Sequence, residues 1–367
     1  MPTLSERFKQ VSPGILLAGL LAGVAEYLAE VTGTTILGFD QSPVSSVMVA
    51  LILGGIVANT VGTPARFHAG ADYSVKRILK FGIILLGFRL SLYDAVQAGL
   101  RAIPVVMASI ITAIVLVFLV SKLLGIDWKI GTLIGVGTAI CGVTAIVATA
   151  PTINAREEET GYAVATITVF GLVATLAYPF IGHLLFAGVE QSVGFWLGTA
   201  VHDTSQVTGA ALVYSETYAA GVTLVTAVVT KLLRNTLMIV IIPLAGTSMN
   251  ARDEHSGGAP SRFQQAISVF PGFVAWFLGF SFLRSIGDAM LSRSRSALFL
   301  FDSEAWASLG EALSLVAVVC LLIALAGVGL RTDIRRFARL GFKPFLVGLV
   351  ATFAVGGASA LTILFIT

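Results

Sequence analysis

Five consecutive polar residues, His202, Asp203, Thr204, Ser205 and Gln206, interrupt the apolar stretch Gly198 to Tyr214, GTAVHDTSQVTGAALVY. They cannot all share one face of a regular helix. Ionisable groups inside a membrane are costly enough that function is the first reading. His202, an imidazole that titrates near neutrality, or Asp203 is the candidate for a coupling proton or cation. The plainer alternative is that the two only hydrogen-bond each other or a neighbouring broken helix. A second candidate pair is Lys231 and Arg234, three residues apart in the apolar run 220–246 and hence on one helix face. Each costs ~2.5–3.5 kcal/mol at a membrane centre. They require an anionic partner: Asp203, a helix C-terminus, or a transported anion. Snorkelling toward an interface is the alternative, and it is weaker for Lys231, which has apolar or small residues on both sides.

The elements that must position these groups are unusual. Gly131 to Ala150 reads GTLIGVGTAICGVTAIVATA, apolar but punctuated by Gly131, Gly135, Gly137 and Gly142, with Thr138, Cys141 and Thr144 between or after them. It shares Gly-Thr-Ala followed by Ile or Val with the second stretch, at Gly137 and again at Gly198–Thr199. Glycine at this density in water would mean a loop. In lipid, irregular backbone survives only where protein buries it or a wet cavity receives it. Two Gly-interrupted spans point to a transport site formed by broken helices. A break near Gly137 to Gly142 would expose the N–H groups of a half-helix, whose N-terminus carries about half a positive charge and attracts anions. Thr138, Thr144 and Cys141 would add donors. Close packing of helices through small residues is the structural alternative.

The whole chain fits this setting. Of its 367 residues, 56% are hydrophobic and 12% charged, against about 25% charged in soluble domains, so the expectation is an all-α polytopic membrane protein. Candidate spans are 14–29, 43–62, 77–92, 102–124, 130–151, 160–182, 195–214, 220–246, 268–286, 308–330 and 341–366, about eleven in all. The first is read as a span rather than a signal peptide, because it continues past Glu26 and no soluble domain follows. Lys and Arg placement favours a cytoplasmic N-terminus, with Arg284, Arg293 and Arg295 as the one contrary group. Residues 247–265 read as a cytoplasmic linker within a single transporter domain spanning 1–367. Sliding the chain by 240 positions sets Ile83, Leu85, Gly87, Leu90 and Pro104 opposite Ile323, Leu325, Gly327, Leu330 and Pro344. If real, this is an inverted repeat of the kind secondary transporters use; the alternative is chance similarity between leucine-rich hairpins. Glu157, Glu158 and Glu159 suit a helix N-terminus, Asn59 a bond between helices, and Arg89 an interfacial anchor. No Walker loop, His-Glu-x-x-His or Gly-x-Ser-x-Gly is present, so ATP-driven transport and hydrolase chemistry are not expected. Cys141 and Cys320 offer neither a disulfide nor a metal set. No cofactor, metal or nucleic acid is expected.

GTAICGVTAIVATAPTINAREEET, LLGFRLSL at 85–92, GTAVHDTSQV at 198–207 and KLLR at 231–234 together resemble the YeiH-like sulfate exporter family over essentially the whole chain. That family is grouped with the cation:proton antiporter and anion transporter superfamily. The resemblance implies a core and a scaffold, two crossing broken helices, often a homodimer, and a prokaryotic inner-membrane location. Where the family pattern often carries Glu, this chain has Asp203, whose shorter reach weakens a direct ion-ligand role. The expected function is a secondary transporter of a small anion, such as sulfate, a related oxyanion or an organic acid. The anion would be held by Gly137, Thr138, Cys141, Gly142 and Thr144 of one span and Thr199, His202, Asp203, Thr204 and Gln206 of the other. Lys231 and Arg234 would supply positive charge. Two other readings stay open: a cation/proton antiporter using Asp203 and Lys231, and a membrane scaffold or sensor that transports nothing. An enzyme using Cys141 or His202 would need a nucleophile–base pair that the sequence does not specify.

Overall fold

The computed structural model describes residues 4–38, 42, 44–242, 271–294, 296–333 and 342–366. The expected linker at 247–265 lies outside them. Among the described residues the secondary structure is helical, apart from an isolated bridge between Ala297 and Phe301. Seven helices are long and apolar enough to cross a membrane. The other candidate spans correspond to shorter or interrupted helices. The all-α polytopic expectation therefore holds.

The helices are α1 (Leu4–Glu30), α2 (Ser46–Thr60), α3 (Ala65–Tyr73), α4 (Leu79–Leu86), α5 (Leu92–Leu123), α6 (Trp128–Ala139), α7 (Val143–Thr149), α8 (Glu157–Leu185), α9 (Glu190–Ala200), α10 (Thr204–Thr217), α11 (Gly221–Thr236), α12 (Phe273–Ser294), α13 (Ser303–Arg331) and α14 (Phe342–Ile366). Helix starts follow side-chain chemistry. Ser45 accepts from the Met48 N–H, Asp127 from that of Lys129 and Asp302 from that of Ala305, each supplying one of the bonds that a helix start lacks. Glu159 accepts from both the backbone N–H and the guanidinium of Arg156. The acidic triplet thus opens α8, as its sequence suggests.

The chain divides into two compact units. The first comprises residues 1–98, 211–225 and 272–335. Here α2 and α13 touch backbone to backbone: a Cβ on Gly54 would lie 2.5 Å from the Ala326 carbonyl oxygen, and one on Gly329 would lie 2.3 Å from that of Leu51. Small residues are how helices approach when lipid removes the hydrophobic drive between them. Asn59 donates to the Gly55 and Thr332 carbonyls, tying the end of α2 to the end of α13. Arg284 pairs with Asp288 at 2.8 Å and lies against the Phe88 and Trp306 rings, while the Trp306 indole N–H donates to the same carboxylate. Glu216, near the end of α10, accepts from the Ser45 and Ser46 hydroxyls and the Val47 N–H at the start of α2, a favourable place for a carboxylate.

The second unit comprises residues 99–210, 226–271 and 336–367. Its core joins α5, α6, α7, α8 and α14 through Val117, Leu133, Ile134, Ile146, Ile167 and Val347. Trp196 of α9 stacks on Tyr178 of α8 and donates its indole N–H to the Gly356 carbonyl of α14. Both polar stretches of the sequence analysis begin in this unit, as do Lys231 and Arg234. The two arms of the proposed repeat divide alike, since the run ending at Leu90 or Leu330 belongs to the first unit and most of the helix after it to the second.

Candidate functional site

Both expected helix breaks are present, at slightly shifted positions. The first lies at Ile140, Cys141 and Gly142, between α6 and α7. Gly137 is not part of it: it sits inside α6, where a Cβ would lie 2.8 Å from the Ile146 side chain. That glycine is a packing position, and the gap falls where the chain reverses its dihedral preference. Gly142 has φ +65°, a region open to glycine and costly for other residues. The second break lies at Val201, His202 and Asp203, between α9 and α10, and uses extended backbone at Val201. The two breaks touch. A Cβ on Gly142 would lie 3.2 Å from the Cα, Cβ and Oδ2 of Asp203.

A broken helix leaves carbonyls unpaired at one end and N–H groups at the other. The carbonyl ends of α6 and α9 are both closed by α11. Lys231 Nζ donates to the carbonyls of Ile140 at 2.9 Å, Val201 at 3.1 Å and His202. Three acceptors match the three hydrogens of an ammonium. Arg234 donates through Nε to Ala139 at 2.8 Å, through Nη1 to Thr199 at 2.6 Å, and through Nη2 to Thr138. Both residues are fully buried. Of the three anionic partners the sequence left open for them, the structure selects helix C-termini, where cations are also favoured by the dipole. Lys231 and Arg234 thus act on the site through their field, with their main donors already engaged.

The N-terminal ends differ. α7 has only seven residues and no side-chain cap, so little dipole stands behind its start. α10 is twice that length and carries a full capping arrangement. Asp203 Oδ1 accepts from the Ser205 N–H at 2.9 Å and its hydroxyl at 2.6 Å. Gln206 Oε1 accepts from the Asp203 N–H at 3.3 Å, the N3-to-N-cap half of a capping box, while the Asp203 carboxylate takes the N2 N–H instead of that of N3. The Gln206 amide then donates to the Thr168 carbonyl of α8 at 3.2 Å. Gln206 is therefore occupied in holding α10, while Asp203 keeps one carboxylate oxygen, Oδ2, without a hydrogen-bond partner among the described residues.

His202 is fully buried, with Nε2 2.8 Å from the Thr352 hydroxyl of α14. That hydroxyl spends its hydrogen on the Gly348 carbonyl, so Nε2 carries the proton of the pair. Among the described residues Nδ1 has no partner, and neither does the buried Thr138 hydroxyl. Thr199 donates its hydroxyl to the Phe195 and Trp196 carbonyls of its own helix. Cys141 lies in the first break with its sulfur 3.2 Å from that of Met238. Thr144 is exposed on the first turn of α7. Thr204 accepts from the side-chain amide of Asn235 at 3.1 Å, and the other end of that amide, in a residue only 3% exposed, has no partner among the described residues. Sequence reasoning passed over Asn235, although it follows Arg234 directly as a polar residue in an apolar run. Thr352 gave no local signal.

The profile of the family described as conserved hypothetical protein 698 matches residues 13–348. Similar proteins carry the name UPF0324 membrane protein. One from Streptococcus pyogenes serotype M18 is 32% identical over 94% of each chain. Another from Bacillus anthracis is 30% identical over 93% of this chain and 91% of its own. A third, from Fusobacterium nucleatum, is 28% identical over 83% and 86%. None of these names carries a substrate or an enzymatic activity, and none carries the sulfate-exporter designation. The chain belongs to the conserved hypothetical protein 698 family and is an integral membrane protein.

Proposed function

We propose that this protein is a secondary transporter of a small anion, sulfate or a related oxyanion or organic acid, in line with its resemblance to YeiH-like exporters. The anion is held where the breaks at Ile140–Gly142 and Val201–Asp203 meet. The observation that carries this reading is the pair of buried cations, Lys231 and Arg234, on the two broken-helix C-termini. Each C-terminus brings about half a negative charge, so the two together offset only about one of the two positive charges. Among the described residues Asp203 is the one acidic side chain at the crossing, and the α10 N-terminus adds about half a positive unit. The crossing stays positive with Asp203 ionised. At a separation near 4 Å and an effective dielectric of about 20, the half unit of charge that remains attracts a monoanion by ~2 kcal/mol. Asn235 joins Thr204 and the other residues expected to line the site, while Gln206, Thr199 and Gly137 hold its frame.

Transport is coupled to a proton or a cation, with one bundle of helices moving against another. Orientation follows the Lys and Arg distribution, with the N-terminus in the cytoplasm of a prokaryotic cell and the chain in its plasma membrane. The pairing of Arg284 with Asp288 supports that orientation, because it spends on the fold a charge otherwise counted against it. A homodimer is the expected assembly.

One observation favours a second reading. Asp203 Oδ2 is an unoccupied carboxylate oxygen at the crossing, as a cation/proton antiporter would need. A thermal-shift screen of purified protein separates the two, using sulfate, sulfite, carboxylates, bicarbonate and Na⁺ at two pH values. The anion reading expects stabilisation by at least one of the anions, about 2.7 kcal/mol at a hundred times its dissociation constant, and none by Na⁺ when no anion is present. Stabilisation by Na⁺ alone supports the antiporter. Response to no ion, with no flux in vesicles, leaves a scaffold or sensor.

A further inference from the structure

The geometry points to a charge-matched site that takes a dianion only together with one proton on Asp203, and a monoanion with none; the inference rests on the anion reading above. Two independent features place the ligand at the start of α10. One is the helix N-terminus itself, fourteen residues long and already attractive enough to hold the Asp203 carboxylate. The other is Asn235, buried on α11, whose amide reaches Thr204 at the first residue of α10 and leaves its other end unpartnered. An amide presents either an oxygen or an NH₂ at that end, and an oxyanion is met by the NH₂.

The charges facing Asp203 can be named from each element around it. From α11 come Lys231 and Arg234, both held on carbonyls. From the first break comes Cys141, and from the second His202, which is bound to Thr352 of α14 through Nε2. α8 meets the cap through Gln206, at Thr168 and Gly171, which carry no charge. With the macrodipoles of α6, α9 and α10 included at about half a charge each, the crossing carries about half a positive unit while Asp203 is ionised. It carries about one and a half when Asp203 is protonated. A monoanion matches the first state. A dianion would overcharge it, with its second negative charge placed against a carboxylate in a region of low dielectric. A proton on Asp203 removes that conflict. It also turns Oδ2, the oxygen without a partner, into a hydroxyl that donates to the anion. Protonation at Oδ2 leaves Oδ1 free to keep its bonds to Ser205, so the helix cap survives.

Sulfate and perchlorate test this directly, since both are tetrahedral and they differ in charge. Titration calorimetry of purified full-length protein, repeated in buffers of different ionisation enthalpy, reads the protons taken up on binding. The expected result is uptake of about one proton with sulfate and none with perchlorate. In Asp203→Asn, sulfate binding should persist with no proton uptake and lose its preference for low pH. Asn is as good a helix cap as Asp, and an unchanged melting temperature verifies that this variant is folded. Sulfate binding to the wild type without proton uptake would overturn the inference while leaving the anion reading intact. Uptake that persists in a folded Asp203→Asn would also overturn it, by assigning the proton elsewhere. Absence of binding by either anion, together with a Na⁺ response, would overturn the anion reading itself.

Discussion

The two breaks do the same job by different means. The first, at Ile140–Gly142, is built from backbone: a positive φ at Gly142, no charged side chain and no cap on the short helix that follows. The second, at Val201–Asp203, is built from side chains: Asp203 and Gln206 cap α10, and His202 is anchored to Thr352. What they share is α11. One face of a single helix closes the carbonyl ends of both half-helices, so the glycine-rich break borrows its charge from outside itself. A site of this kind separates geometry from electrostatics. The first break sets the close approach, and the second supplies the group that can change charge.

Removing what the breaks share should have the largest effect. Lys231→Met or Arg234→Met leaves three buried carbonyls without donors and uncovers both C-termini; we expect a loss of ~3–5 kcal/mol or no folded protein, read as melting temperature and monodispersity in detergent. Arg234→Lys should not rescue, because Arg234 reaches its three carbonyls from three separate nitrogens of a planar fork, positions that a single ammonium nitrogen cannot span. The double variant should cost less than the sum of the two singles, since both act on one network. Full additivity would mean that the two cations act independently.

Next come changes that separate the breaks. Gly142→Ala forces a side chain into a left-handed conformation and against Asp203, for ~1–3 kcal/mol. Gly137→Ala meets side chains and no backbone, Ile146 at 2.8 Å and Ile167 at 3.2 Å, and gains helix propensity, so it should cost ~1 kcal/mol or less. Equal penalties at the two glycines would place the break where the sequence first suggested it. At the second break, Asp203→Ala should lose ~1 kcal/mol of capping while Asp203→Asn loses almost none. Thermal unfolding of the two variants side by side reads that difference. The smallest effect is expected for Thr144→Ala, within ~0.5 kcal/mol because the side chain is exposed. A large loss of binding there with stability unchanged would show that α7 contacts the ligand after all.

Much of this was legible in the residues. Glycine density, the repeated Gly-Thr-Ala and the block His202–Gln206 located both interruptions within a few positions. Apolar run length gave the membrane architecture. Gly137 misled because it looks like Gly142 in sequence, and only a backbone dihedral distinguishes a packing glycine from a hinge glycine. The partners of Lys231 and Arg234 were harder to see. A helix C-terminus was among the three partners their sequence context allowed, but its acceptors are main-chain carbonyls, which every residue carries and no letter marks, so the residues alone could not choose it. Thr352 was invisible for a related reason: it is an ordinary threonine in an apolar helix, 150 positions from the histidine it holds. The capping role of Gln206 could have been read, since Asp-x-x-Gln before a helix is a known cap signature.

Counterflow of labelled sulfate in proteoliposomes most directly tests whether an anion occupies the crossing, run with and without Thr204→Val and Asn235→Leu together. The expected result is exchange that needs an anion on both sides and is lost in the double variant, while its melting temperature stays within a few degrees of wild type. Exchange unaffected by that variant, or ion movement driven by Na⁺ and pH gradients with no anion dependence, would contradict it.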